Sequence, residues 1–185
     1  WRSANTIPRK LSLRKSEGGY DLINYPIRNF EKIVESVSKK DISVPGSSKE
    51  IVEFQDLNQS EVRFMTSSKD FQLKIGNGQN EEVLLTMFGE EKEFFLDRTN
   101  SGKIDFQEDF ASVQQMPVPN LPDGEYEVRI LIDHSSIEVF INKGQYVMTA
   151  QLFPNEPYDQ FTIENMRNDE ILFSDFELSK VESVW

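Results

Sequence analysis

The stretch Asp97-Arg98-Thr99-Asn100-Ser101-Gly102-Lys103-Ile104-Asp105-Phe106-Gln107-Glu108 sets an acid, a glycine, an aliphatic residue and a closing glutamate at the offsets of a calcium-binding EF-hand loop. Two features argue against calcium. The third position is Thr99 where a ligand carboxylate or amide is wanted, and Lys92-Glu93-Phe94-Phe95-Leu96 alternates as a strand where a helix is required. A strand running into a polar turn is expected there, with no metal and no cofactor. Asp133-His134-Ser135-Ser136 carries the letters of a hydrolase triad. Neighbours in an extended chain point to opposite faces, however, whereas a triad converges from separate places. Asx and Ser side chains holding a tight reversal between two apolar strands fit this tetrapeptide better. No catalytic residue is assigned.

Paired carboxylates could also serve a retaining glycosidase, but with 32 Asp and Glu some pair must lie close by chance. Gly76-Asn77-Gly78 is flanked by polar residues and reads as a hairpin turn, not a phosphate cradle. Asn58-Gln59-Ser60 is the one glycosylation-type sequon.

The elements that would position these groups belong to a chain of 185 residues, enough for one ordinary domain without a metal or disulfide staple. Hydrophobic residues make up 37% and charged residues 28%, and no apolar run is long enough to cross a bilayer as a helix. Twenty basic side chains against 32 acidic ones give a formal charge of −12, which repels phosphate backbones and anionic lipid. Neither nucleic acid nor a membrane is expected as a partner. Cysteine is absent and histidine occurs once, as His134, so thiolate chemistry and multi-histidine metal sites are ruled out. The chain opens on Trp1 directly before an organised segment, as a piece of something longer would.

Short alternating runs punctuated by Gly, Pro, Asn and Asp recur throughout. They predict strands over 10–13, 20–25, 50–55, 61–66, 70–75, 82–88, 91–97, 126–133, 137–141, 145–153, 161–165 and 171–178. Twelve strands exceed one flat sheet, so an all-β, two-sheet antiparallel β-sandwich is expected. One short helix is expected over 29–35, with Phe30, Ile33 and Val34 on a face and Asn29 as cap. Segments 45–48 and 116–122 read as loops. In the hairpin of residues 137–152, a turn centred on Lys143-Gly144 sets Ile141 opposite Tyr146, Val139 opposite Met148 and Ile137 opposite Ala150. A three-residue loop with Gly144 as bulge is the competing turn and would pair Val139 with Val147. The first register puts Val139 in the core and Glu138 on an exposed face.

Four blocks carry a family resemblance: residues 1–13 (Trp1-Arg2-Ser3-Ala4-Asn5-Thr6-Ile7-Pro8-Arg9 onward), 95–102, 130–140 and 147–154. In that order, and over essentially the whole chain, they resemble the junction and C-terminal sandwich of glycoside hydrolase family 32, the levanases, inulinases and invertases. Asn5 stands where that family usually has Met. The resemblance implies a jelly-roll, concanavalin A-like sandwich at residues 14–185, with 1–13 a junction strand from an N-terminal five-bladed catalytic propeller. It also implies an accessory role, stabilising the propeller of a fructan- or sucrose-cleaving β-fructosidase, with Trp1, Arg2 and Arg9 at the propeller interface. The family's Asn-Asp-Pro, Arg-Asp-Pro and Glu-Cys motifs have no counterpart, since the chain lacks both Asp-Pro and cysteine, so no hydrolysis is expected of it alone.

The implied partners are the propeller of the same polypeptide, and fructan or sucrose. Self-association is expected if the cut exposes the aliphatic side of the junction. The family also implies a secreted or cell-envelope location. The competing reading is an autonomous carbohydrate-binding module of the same fold, whose aromatic candidates would be Tyr20, Tyr25, Tyr146, Tyr158 and Trp185. Fold alone does not choose between the two.

Overall fold

The computed structural model describes residues 5–16 and 18–183. The first strands are β1 (Arg9–Ser16), β2 (Gly19–Pro26), β3 (Val34–Val44), β4 (Lys49–Glu53), β5 (Ser60–Thr66), β6 (Asp70–Gly76) and β7 (Glu82–Phe88). They are followed by β8 (Glu93–Asn100), β9 (Val113–Pro117), β10 (Tyr126–Asp133), β11 (Ser136–Ile141), β12 (Tyr146–Gln151), β13 (Gln160–Asn165) and β14 (Ile171–Val181). Two six-stranded antiparallel sheets, ordered β12-β11-β10-β5-β14-β3 and β4-β13-β6-β7-β8-β9, face each other as the expected sandwich. A separate ribbon of β1 and β2 lies on the outer side of the first sheet. The residue 13/14 boundary expected from the resemblance falls inside β1.

Inward side chains fill the space between the sheets. Phe64 of β5 and Phe173 of β14 meet edge-to-face at 5.1 Å, and Phe71 of β6, from the opposing sheet, meets Phe173 at 5.6 Å. Such pairs add about 0.5–1.5 kcal/mol each beyond area burial. Phe173 and Phe176 are both in the core although residues three apart in a regular strand face opposite ways. A bulge between them, with Asp175 at φ 50°, swings Phe176 back inward. The Asp175 N–H then donates to Asp41 Oδ1 at 2.9 Å.

The hairpin β11–β12 adopts the register centred on Lys143-Gly144: Ile141 pairs with Tyr146, Val139 with Met148 and Ile137 with Ala150. Val139 is fully buried, as expected, but so is most of Glu138, at 4% exposure, because the ribbon's approach covers its face. Three successive left-handed residues, Asn142, Lys143 and Gly144, carry the turn.

Residues 29–35 do not form an α-helix. A 3-10 helix spans Arg28–Ile33, with Ile27 at its N-cap position and no side-chain cap, and Val34 already pairs with Val181 in β3. One 3-10 turn suffices to bury Phe30, after which the β-branched Val34 follows the sheet. A second 3-10 turn spans Leu57–Gln59. The strand β3 was not legible in its polar run Glu35-Ser36-Val37-Ser38-Lys39-Lys40-Asp41, and β9 lies partly where a loop was expected. Both are edge strands, where one flank meets water and strict alternation is not required.

Candidate functional site

Strand alternation sends Val128, Ile130 and Ile132 of β10 into the core and Glu127, Arg129 and Leu131 to the outer face of the first sheet. Neighbouring strands add Glu61 and Arg63 from β5, and Glu138 and Phe140 from β11. A charged outer face ordinarily meets solvent. Here Arg129 is 0%, Glu61 1% and Glu138 4% exposed, because β1, β2 and the first 3-10 helix lie over them.

Arg129 is the centre of this layer. Its guanidinium donates from Nε and Nη2 to Glu61, while Glu31, on the 3-10 helix, forms an ion pair with Nη1 at 2.8 Å. The ring centroids of Tyr25 and Phe30 stand 5.3 and 5.5 Å from the guanidinium carbon, two cation–π contacts shielded from water. Burial pushes the Glu61 carboxyl above its ordinary range, with Arg129 pulling the other way. Burial works against the Arg129 charge too, but Glu61 and Tyr25 outweigh it and its pKa is raised. The Tyr25 hydroxyl, hydrogen-bonded to Glu127, is raised by burial and by that carboxylate.

Glu138 is the second anchor. One carboxylate oxygen accepts the Ile7 backbone N–H at 2.9 Å and the other accepts from Arg9, whose Nη2 also reaches Thr149 Oγ1 at 2.8 Å. The Arg9 guanidinium lies 5.0 Å from the Phe140 ring centroid. Ile7, Tyr25, Ile27 and Ile33 pack with Phe30, Leu131 and Phe140 into a small second core outside the sandwich. Further along, the Asn24 N–H donates to the Gly144 carbonyl at 2.9 Å and Arg14 donates to Gln145. A Cβ on Gly144 would sit 2.3 Å from Asn24 O, so glycine is required for the ribbon to come this close.

Beside this layer runs a groove of about 430 Å³, bordered by Asn5, Ile7, Ile33, His134 and Glu182. His134 occupies the two-residue turn between β10 and β11, where its N–H bonds Asp133 Oδ1 at 2.8 Å, and it is exposed. Asp133 is thereby a turn-former. Of the carboxylates that border the groove, Glu138 is buried and engaged with the Arg9 guanidinium, an arrangement that holds a segment in place rather than one that shuttles protons.

The other sequence candidates are dispersed. Asp97 accepts from the Thr99 N–H at 2.8 Å and the Thr99 hydroxyl at 2.7 Å, and β8 continues to Asn100, so the EF-hand-like segment starts as strand and Asx turn. Among the described residues no group of three or more His, Asp and Glu is placed to hold a metal. Asn58 of the sequon is buried and accepts the Tyr158 N–H. Tyr158 is buried with its hydroxyl donating to Ser101 O, Tyr146 accepts the Asn120 N–H, Tyr25 belongs to the Arg129 layer, and Tyr20 is exposed on the ribbon. These four tyrosines make no common platform. Trp1, Arg2 and Trp185 lie outside the described residues, while Arg9 is engaged within the domain.

Sequence reasoning missed Arg129, Glu61 and Glu138. Their alternation out of phase with the core was visible, but the covering segment is more than a hundred residues away in the chain for Glu138. No local pattern announces such a lid.

Comparison with known proteins adds to this geometry. The family model described as the C-terminal region of glycosyl hydrolases family 32 matches residues 28–180. The levanase of Bacillus subtilis (strain 168) is 28% identical over 161 residues, which span 84% of this chain and 24% of the levanase. An extracellular exo-inulinase of Aspergillus awamori is 30% identical over 162 residues, 84% of this chain and 30% of that protein. The crystal structure of exo-inulinase from Aspergillus awamori superposes with a TM-score of 0.84 at 25% identity, covering 100% of this chain and 37% of that one. The chain thus spans about a quarter to a third of the length of these curated relatives.

Proposed function

Since the chain belongs to the C-terminal domain family of glycosyl hydrolases family 32, we propose that it serves as the non-catalytic accessory sandwich of a fructan- or sucrose-cleaving β-fructosidase. The match of residues 28–180 to a C-terminal family model, in relatives three to four times longer, carries this reading. In it, the catalytic propeller precedes the sandwich in the same polypeptide, residues 1–13 form the junction, and the sandwich stabilises its neighbour. The retaining hydrolysis belongs to the propeller. The layer beneath the ribbon supports that division: its buried carboxylates Glu61 and Glu138 are each neutralised by an arginine. The extracellular naming of the inulinase relative supports a secreted parent.

Incubating the 185-residue chain at high concentration with levan, inulin or sucrose is expected to release no fructose. The polypeptide read together with its own upstream coding sequence should release it. Release by the short chain that scales with protein and disappears in His134→Ala would overturn the proposal.

A further inference from the structure

The outer face of the second sheet differs in kind from that of the first. Across β6, β7, β8 and β9 the register sets Gln72 beside Thr86, Thr86 beside Phe95 and Phe95 beside Gln115, in one row, and the next row pairs Asp70 with Phe88. Phe71, Leu73, Met87, Phe94 and Leu96 alternate with them and fill the core, so these rows point outward. The ribbon closes the first sheet's face, whereas here Gln115 is exposed and Gln72, Phe88 and Phe95 are half-buried, so this face meets solvent. Four strands about 4.8 Å apart make the row roughly 14 Å long. At its Asp70 end the face meets a cleft of about 490 Å³ that Gly89 and Arg167 also border.

In a chain of formal charge −12, the centre of this face carries two amides, a hydroxyl and two aromatic rings. Charges beside them are paired: Lys74 with Glu82 at 2.9 Å and Arg167 with Asp70 at 3.2 Å. No net positive field is offered to an anion. Gln72 Nε2 donates to Thr86 Oγ1 at 2.9 Å, which fixes both groups while each keeps further hydrogen-bonding capacity, and Gln115 donates to Glu93. Phe88 and Phe95 stand edge-to-face at 5.6 Å. Anchored amides and a hydroxyl beside rings suit a neutral polyol, whose hydroxyls exchange hydrogen bonds with the first and whose C–H groups lie on the second. We infer that this face binds a neutral β-fructan chain, with Phe88 and Phe95 under the sugar rings and Gln72, Thr86 and Gln115 on their hydroxyls. The row is long enough for more than one sugar ring, so a chain is held better than a single fructose. That the glycan is a fructan rests on the accessory-domain reading above.

The test is affinity electrophoresis of the 185-residue chain in native gels containing levan, inulin or dextran, with the melting temperature of every variant recorded. Levan or inulin is expected to retard the chain and dextran is not. Gln115→Ala, exposed on an edge strand, should weaken binding about three- to tenfold at an unchanged melting temperature. Phe95→Leu should weaken it about tenfold while Phe95→Tyr retains it, because a ring face is needed rather than apolar volume. Tyr20→Ala, on the exposed ribbon, should leave it unchanged. Amide shifts on adding the retarding fructan should centre on Gln72, Thr86, Phe95 and Gln115. No retardation by either fructan, equal retardation by dextran, or binding indifferent to both Gln115→Ala and Phe95→Leu overturns the proposal. Shifts that follow protein concentration instead of fructan assign the face to a second copy and overturn it as well. Failure to bind, with a propeller encoded upstream, leaves the accessory role standing, whereas fructan binding with no propeller upstream keeps the site and overturns that role.

Discussion

One carboxylate oxygen of Glu61, Oε2, accepts from both Nε and Nη2 of Arg129, at 2.9 and 2.6 Å, on a sheet face that the ribbon closes to water. Two opposite charges have been taken out of solvent together, so neither can be removed without stranding the other.

Arg129→Met should therefore destabilise the domain by about 3–5 kcal/mol, the usual result of leaving one member of a buried pair. Combining it with Glu61→Leu should restore much of the loss, because the orphaned carboxylate is gone. Urea unfolding of the two single variants and the double variant measures the coupling. Additive losses would mean that the two side chains act independently.

The adjacent residues Glu138 and Val139 should both prove sensitive, for different reasons. Val139→Asp buries a carboxylate in the sandwich and should cost several kcal/mol, on the scale of a domain's whole stability. Glu138→Gln removes the charge that holds Arg9 and the Ile7 N–H, at a cost of about 1–3 kcal/mol. Equilibrium unfolding ranks the two, and hydrogen exchange should localise the second effect to the segment before β2. A Glu138→Gln protein with wild-type stability and wild-type protection at Ile7 would contradict the anchoring role.

Gly144→Ala tests the close approach of the ribbon. Its φ of +79° and the 2.3 Å approach to Asn24 O leave no room for a methyl group, so the ribbon must lift. Left-handed strain alone costs about 1 kcal/mol or more. Limited proteolysis should cut within β1–β2 several-fold faster, with the core strands still resistant. Unchanged cleavage would show that the ribbon is held without this contact.

Glu81 supplies a pH signature. Its carboxylate accepts from Asn77 Nδ2 at 2.9 Å, from the Asn155 N–H at 2.9 Å and from Asn155 Nδ2 at 2.5 Å. Burial would raise its pKa, but these hydrogen bonds prevail and it falls below the ordinary 4.5. A carboxyl whose folded pKa lies below its unfolded one stabilises the fold above the unfolded value and loses that contribution as pH falls through the folded one. Glu81→Gln should thus lose stability at pH 7 by about 1.5–3 kcal/mol, and the difference should shrink below pH ~4. Chemical denaturation at the two pH values decides it; a gap that widens on acidification reverses the sign.

How much of this was legible in the sequence depended on whether the signal was local. The pairing of β11 with β12 could be read because Ile137, Val139 and Ile141 face Ala150, Met148 and Tyr146 across a glycine turn. His134 could be read as a turn residue for the same reason. Phe173 and Phe176 gave a misleading phase, since only a bulge at Asp175 reconciles their spacing with two inward rings. The Arg129 layer was opaque, because a charged residue alternating with Val128 and Ile130 looks like one facing water until the remote Tyr25 and Phe30 are set over it. The edge strand β3 gave no apolar alternation, and its placement depends on pairing with β14.

The strand orders also govern the birth of the molecule. β14 fits between β3 and β5 in one sheet, and β13 between β4 and β6 in the other, so each sheet is bridged by a strand synthesised after all its other described strands. During translation the earlier strands emerge with two gaps waiting, one between β3 and β5 and one between β4 and β6, and the edges of each are templates for pairing with another nascent chain. Loop closure over such separations makes the final insertion slow. On the ribosome, the interval before Ile171–Val181 clears the exit tunnel is the window in which the unpaired edges of β3 and β5 are open to mispairing.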